Sequence, residues 1–347
     1  MSAAPYTLRV GTSVSLRVRR RPIVVAFALA AAAFALAVFA IGTGEFEVPP
    51  GTVISTLLGG GDPGSAFIVR ELRLPRVLCA LLVGAALGIS GALFQSLTRN
   101  PLGSPDIVGF PQGATVGALI VITVIGGSDL GVTAGALAGG AATALAVYVL
   151  ALKRGGTSGY RIVLIGIAIA FFMLSITDYL LARARIEEAQ EATRWLLGSL
   201  NGRTWEDFVP LAISLAIVVP LVIPAARALR ALELGDDSAF ALGLRVERAR
   251  LGLIGLAVAL VSVTTVAVGP IGFIALTAPQ IARRLTKTAG LPLVCSALMG
   301  AALTLAADLA AQRLVPDRAL PVGVMTGAFG GLYLAWLLTM EWRKGRA

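Results

Sequence analysis

The feature that most constrains this chain is a succession of apolar runs, each about as long as a bilayer is thick. A helix that crosses the hydrocarbon core needs roughly 20 consecutive apolar residues. Runs of that order occupy Ile23–Gly42, Pro75–Leu97, Gly131–Leu152, Ile162–Ala182, Phe208–Ala226, Val246–Val268, Leu291–Ala311 and Pro321–Met340. Two shorter or interrupted runs, Val108–Ile125 and Pro270–Leu285, bring the number to ten. The expected architecture is therefore an all-α membrane protein with about ten transmembrane helices. The transmembrane domain covers residues 23–342, between tails at 1–22 and 343–347.

Composition excludes the soluble alternative. The chain is 57% hydrophobic and only 14% charged, with a mean hydropathy of +0.86. A soluble domain is about half apolar and a quarter charged. The first run follows Arg17, Arg19, Arg20 and Arg21, as the core of a signal peptide would. It is too long for that role and lacks an Ala-x-Ala cleavage signal, so it reads as a retained first helix.

The net charge of +10 lies in connectors between apolar runs rather than along a groove, which argues for membrane topology and against nucleic acid. With the N-terminus inside, the inner segments collect 20 of the 29 basic residues. They include Arg99, Lys153, Arg154, Arg161, Arg283, Arg284, Lys287, Arg343, Lys344 and Arg346. The outer segments hold most of the acids, among them Glu45, Glu47, Asp62, Glu187, Glu206 and Asp317. Basic residues favour the cytoplasmic side, so both termini are expected there. The outer stretch Ile186–Leu197 is amphipathic and suits the membrane interface.

Catalytic and metal chemistry have little to work with. There is no His for acid–base or metal-ligand roles. Cys79 and Cys295 both lie inside apolar runs, as small core residues do. No phosphate loop of the form G-x-x-x-x-G-K-[ST] is present. The intramembrane acids are few: Asp178 near the outer end of its helix, and Asp308. A central Asp costs about 2.5–3.5 kcal/mol in a helix facing lipid, so Asp308 needs a polar partner or a coupling role as in an ion-driven carrier. The chain otherwise reads as a passive pathway that another protein drives.

Small residues are arranged for close helix approach. Gly84, Gly88 and Gly91 share one face of their helix, with Gly135/Gly139 and Gly323/Gly327 at the same spacing elsewhere. Close packing alone would account for such faces. The first could also line a pathway, because Gln95, Ser96 and Asn100 follow it. Two breaks, Asn100-Pro101 through Pro111-Gln112-Gly113 and Gly269-Pro270 through Pro279, interrupt the helical pattern. Irregular backbone at membrane depth is tolerated only inside protein or along a cavity. Pathway candidates are thus Gly88, Gly91, Gln95, Asn100, Pro101, Gln112, Gly269 and Pro270.

Taken in order, these segments resemble one family. The matching text is Arg73-Leu-Pro-Arg76, Leu82-Val-Gly-Ala-Ala-Leu-Gly-Ile-Ser-Gly91, Gln95, Asn100-Pro-Leu102, Gly109, Gly113-Ala114, Gly269-Pro-Ile-Gly-Phe-Ile274, Ala307-Asp308 and Leu320-Pro-Val-Gly-Val324. Together they resemble the FecCD-type permeases of binding-protein-dependent ABC importers, which carry ferric siderophores, haem or vitamin B12. The resemblance implies a permease like that of the vitamin B12 importer (a type II ABC importer), in the bacterial cytoplasmic membrane. Two permease subunits would surround the pathway, with two ABC ATPases inside and a substrate-binding protein outside. The chain itself would be no enzyme and bind no cofactor; ATP would be used by the partner.

The same resemblance places an ATPase-coupling loop at about 227–245, where Leu234, Gly235, Asp237, Ala239, Phe240, Leu242 and Gly243 match loosely. Its apolar residues could enter an ATPase groove as an amphipathic helix, or the segment could be a solvated basic linker. Arg73 and Arg76 run against the charge asymmetry. In related importers such arginines pair with acids on the binding protein, with Arg313 or Arg318 serving the other lobe; snorkelling to lipid headgroups is the alternative. Where the family often carries Pro-His, this chain has Pro279-Gln280, similar to ferric-enterobactin-type subunits. That points to a ferric siderophore, a catecholate first, and to a heterodimer of two permeases, with haem, cobalamin or another chelate as alternative cargo. Ala319 departs from the acidic residue usual in the family.

Overall fold

The computed structural model describes residues 6–10, 14–18, 20–44, 46–152, 159–288, 290–314 and 320–344. Arg19, Glu45, Lys153, Arg154, Asp317, Arg318, Ala319 and Arg346 lie outside the described residues. The tail carries an antiparallel hairpin, β1 (Tyr6–Val10) with β2 (Val14–Val18), paired from Tyr6↔Val18 to Val10↔Val14. Among the described residues it is the one regular element that is not helical.

Ten helices answer to the ten runs. They are α1 (Arg20–Gly42), α4 (Leu74–Thr98), α5 (Phe110–Ile120), α6 (Asp129–Ala151), α7 (Gly159–Arg183), α9 (Trp205–Glu233), α11 (Val246–Val268), α12 (Ile274–Thr286), α13 (Leu293–Arg313) and α14 (Val322–Lys344). Seven are long and apolar enough to cross a bilayer, and Phe110–Ile125 and Val322–Leu337 are shorter apolar segments. Short helices fill the connectors: α2 (Pro50–Leu57), α3 (Pro63–Phe67), α8 (Ile186–Leu196) and α10 (Asp236–Ala241). Asp62 caps α3, accepting from Ser65 N at 3.0 Å and from its hydroxyl at 2.6 Å. Those bonds hold its carboxyl below the usual carboxylate range. Thr204 and Asp207 form the reciprocal cap that starts α9.

One proline expectation and one helix end are corrected. Pro279 does not interrupt its span: it lies inside α12, and the break is confined to the residues before Ile274. Likewise α9 carries Pro210, Pro220 and Pro224 and continues to Glu233, seven residues past the expected end at Ala226. In lipid the alternatives to helix are worse, and neighbouring groups take up the freed carbonyls. Here the Gln95 amide donates to Leu276 O at 2.9 Å and lies 3.5 Å from Ala275 O. Ala275 O is the carbonyl that Pro279, having no N–H, cannot serve.

The core is built around α4, whose inner face packs against α13, α12 and α11. Gly84 meets Gly300 O, Gly88 meets Ser296 O, and Gly91 meets Ala275 O, all closer than any side chain allows. A second crossing joins α5 and α6 through Gly113 and Gly117 against Gly139 and Gly135. Without a hydrophobic drive between helices in lipid, such backbone contact is what holds them together. The exterior stays apolar: Phe27 and Phe34 on α1, Phe171 and Phe172 on α7, and Ile217 and Ile223 on α9 are exposed. That is the surface of a protein solvated by lipid or a partner subunit.

Candidate functional site

The two breaks meet inside the subunit. After α4 ends at Arg99, in the left-handed region at φ 50°, the chain turns on Asn100, whose Oδ1 accepts from Leu102 N at 2.9 Å. It then runs along α7, with Thr98 against Gly159, Val108 against Gly166 and Gly109 against Ala170. Ala170 lies eleven positions beyond Gly159 in α7, a rise of about 16 Å at 1.5 Å per residue. So α5 starts well into the membrane, which is why its apolar run is short. At that depth Asp106 Oδ2 accepts from Phe273 N at 3.1 Å, joining the first break to the start of α12. Gln112 donates to Asp106 O at 3.2 Å from the first turn of α5.

Gln280 completes the join, donating to Gln95 Oε1 at 2.5 Å and to Pro101 O at 3.3 Å. Gly269, at φ 77°, packs its backbone on Trp195 O and Gly198, and Gly198 in turn abuts Pro270 O. All eight pathway candidates are thus accounted for. Gly88, Gly91 and Gln95 are buried in contacts between helices. Asn100, Pro101, Gln112, Gly269 and Pro270 hold the breaks together.

The face opposite the start of α1 gathers the three arginines singled out from sequence. Arg73 donates to Ile41 O and Phe46 O, both at 2.7 Å. Arg76 makes a two-pronged pair with Asp308, Nε to Oδ2 at 2.9 Å and Nη2 to Oδ1 at 2.8 Å. Gln312 adds a third bond to Asp308 Oδ2 at 2.8 Å. Arg313 lies over the Phe39 ring at 5.5 Å from its centroid. A cavity of about 380 Å³ opens between Thr43, Phe46, Phe67, Arg73, Arg76 and Gln312. The acid missed as a partner here is Asp308; its need for a polar neighbour was visible in the sequence, but not which one. Arg70, which donates to Thr56 O and accepts Trp205 Nε1 on its own carbonyl at 3.1 Å, went unnoticed.

On the face where α1 begins, the segment expected from sequence to couple to an ATPase forms a protruding turn. α9 ends at Glu233, Gly235 (φ 111°) turns the chain, α10 follows, and Gly243 (φ 82°) turns it back into α11. Leu234, Phe240 and Leu242 are exposed at 67%, 75% and 69% of their surface, while Ala239 anchors the helix fully buried. Asp237 is exposed beside them. A short helix and its two flanking turns thus leave three large apolar side chains exposed, a surface suited to a protein partner.

Comparison with known proteins gives a consistent set of matches. The model of the FecCD transport family matches residues 28–340. The ferric enterobactin transport system permease protein FepG of Escherichia coli is 44% identical over 330 residues, covering 94% of this chain and 99% of that protein. The Fe(3+)-citrate import system permease protein YfmE of Bacillus subtilis is 37% identical over 330 residues, covering 94% and 98%. Among solved structures, an inward-facing metal-chelate type ABC transporter superposes with a TM-score of 0.81 at 26% identity, over 92% of this chain and 99% of that one.

Proposed function

The chain belongs to the FecCD transport family, and on that premise we propose that it is the permease subunit of an ATP-driven importer that carries a ferric siderophore, a catecholate first, across the bacterial cytoplasmic membrane. The observation that carries the cargo reading is the end-to-end 44% identity with a ferric enterobactin permease. The Pro279-Gln280 pair supports it from within: Gln280 is part of the buried network with Gln95.

In this reading two ABC ATPases dock on the face bearing Leu234, Gly235, Asp237, Ala239, Phe240, Leu242 and Gly243. The exposed apolar side chains there favour a protein partner. An extracytoplasmic siderophore-binding protein docks on the opposite face, where Arg73 and Arg76 line the 380 Å³ cavity and Arg313 lies over Phe39. Both termini are cytoplasmic, as the charge asymmetry favours. The pathway lies between this subunit and a second, different permease; Gly88, Gly91, Gln95, Asn100, Pro101, Gln112, Gly269 and Pro270 set the packing behind its wall. The subunit stores no energy and binds no cofactor.

The cargo is tested by uptake of radiolabelled iron in cells deleted for this chain, offered as catecholate, hydroxamate, haem and citrate chelates. Loss confined to the catecholate, restored by the wild-type gene, is the expected result. Normal catecholate uptake with loss of another chelate would transfer the cargo to that class.

A further inference from the structure

The coupling segment is wired to the body of the subunit through one carboxylate. Asp236, the first residue of α10, accepts from two guanidinium groups on different helices: Arg99 Nη2 of the α4 end at 3.1 Å on Oδ1, and Arg250 Nη2 of α11 at 2.9 Å on Oδ2. Arg99 Nη2 also donates to Leu232 O at 2.8 Å, one turn before the docking element. Beside it, Ser96 of α4 donates to Glu233 Oε1 at 3.0 Å. Arg250 is buried and held from behind by Glu247 at 2.7 Å. The end of α4 is thus bound to the segment 232–236 by three hydrogen bonds from two side chains, Ser96 and Arg99, and α11 by a fourth from Arg250.

Both Asp236 and Arg99 are about half exposed, so these pairs add little to stability. What they fix is position. The helix α10 is six residues long with only Ala239 buried, so its apolar anchorage is slight. Arg99 sits in the left-handed region at φ 50°, where the chain leaves α4 for the connector that reaches Asp106 and α12. Displacing α10 therefore pulls on the helix at the centre of the packing and on the joined breaks.

We propose that Asp236 is a positioning residue of the transport cycle, transmitting movement of the docking helix α10 to the ends of α4 and α11 through its two arginine pairs. The proposal rests on the reading of α10 as the ATPase-docking element. It adds that docking and transmission are separable: the apolar side chains engage the ATPase, and the carboxylate passes the motion on.

The test uses the full assembly of permeases, ATPases and binding protein in proteoliposomes, supplied with a ferric catecholate. Copurification of the ATPases, the ATP hydrolysis rate and the ATP consumed per chelate imported are measured for wild type, Asp236→Ala and Asp236→Glu. Asp236→Ala is expected to keep the ATPases bound and hydrolysis within about twofold, while ATP consumed per chelate rises on the order of tenfold. Asp236→Glu, which keeps the charge, restores most of the coupling. An unchanged ratio in Asp236→Ala, loss of the ATPases from that variant, or a Glu variant as uncoupled as Ala would each overturn the proposal. A wild-type assembly that recruits no ATPase at all would instead remove the permease reading itself.

Discussion

A Gly88→Leu subunit is expected to accumulate poorly in the membrane and, once purified, to unfold well below the wild-type temperature. A Cβ at Gly88 would overlap Ser296 O on α13, and one at Gly84 would overlap Gly300 O on the same helix. These obstacles are backbone, so no rotamer change relieves them; the helices must separate. Overpacking costs about 1–3 kcal/mol where side chains can adjust, and about 3 kcal/mol or more is expected where they cannot. The loss extends beyond one contact, because α4 also carries Gly91 against Ala275 O and Ser90 Oγ donating to Ala257 O at 2.7 Å. Gly255→Leu is the control: nothing lies within 4 Å of its added carbon, and it sits in a helix interior. That variant should match wild type or exceed it, since Leu is the better helix former by several tenths of a kcal/mol, roughly. Equal melting of the two variants would show that α4 and α13 do not cross as described.

The second large effect is expected at Arg76. Asp308 is 1% exposed and Arg76 is its cationic partner. Removing one member of a buried pair leaves an uncompensated charge and costs about 3–5 kcal/mol, whereas replacing both with apolar residues is often neutral. Arg76→Ala should therefore destabilise the isolated subunit severely, leaving Gln312 as the side-chain donor to Asp308 among the described residues. Adding Asp308→Ala to Arg76→Ala should recover most of the stability. The measurement is a double-mutant cycle by thermal unfolding of the subunit in detergent, without any binding protein. If Arg76→Ala melts like wild type, the pair with Asp308 is incidental to the fold.

That pairing shows where sequence reasoning stops. The membrane class and the order of the helices were legible because hydropathy over 20 residues is a local signal that lipid leaves no means of ignoring. The glycine faces were legible as close-approach surfaces, but their partners were not: Gly88 and Ser296, or Gly91 and Ala275, are joined by packing that no local pattern encodes. The same holds for Arg76 and Asp308, 232 residues apart. Asp308 was recognisable as needing a partner; Arg76, at the outer end of its helix, was read as facing outward. Pro279 was misread because a proline in isolation breaks a helix, and the Gln95 amide that tolerates it comes from another span. The turn at 234–243 was visible in Gly235 and Gly243, while the Asp236 pairs behind it were not, since Arg99 and Arg250 lie on separate helices.

In the reading proposed above, this subunit is a pathway without an engine. Its most direct test places the purified chain alone, and then the complete assembly, in liposomes with a radiolabelled ferric catecholate outside and ATP, a proton gradient or a sodium gradient supplied in turn. The chain alone is expected to hydrolyse no ATP and to accumulate nothing under any gradient, and the assembly to accumulate chelate only with ATP. Accumulation by the chain alone under a proton or sodium gradient would contradict it and make Asp178 or Asp308 the coupling acid of a secondary carrier.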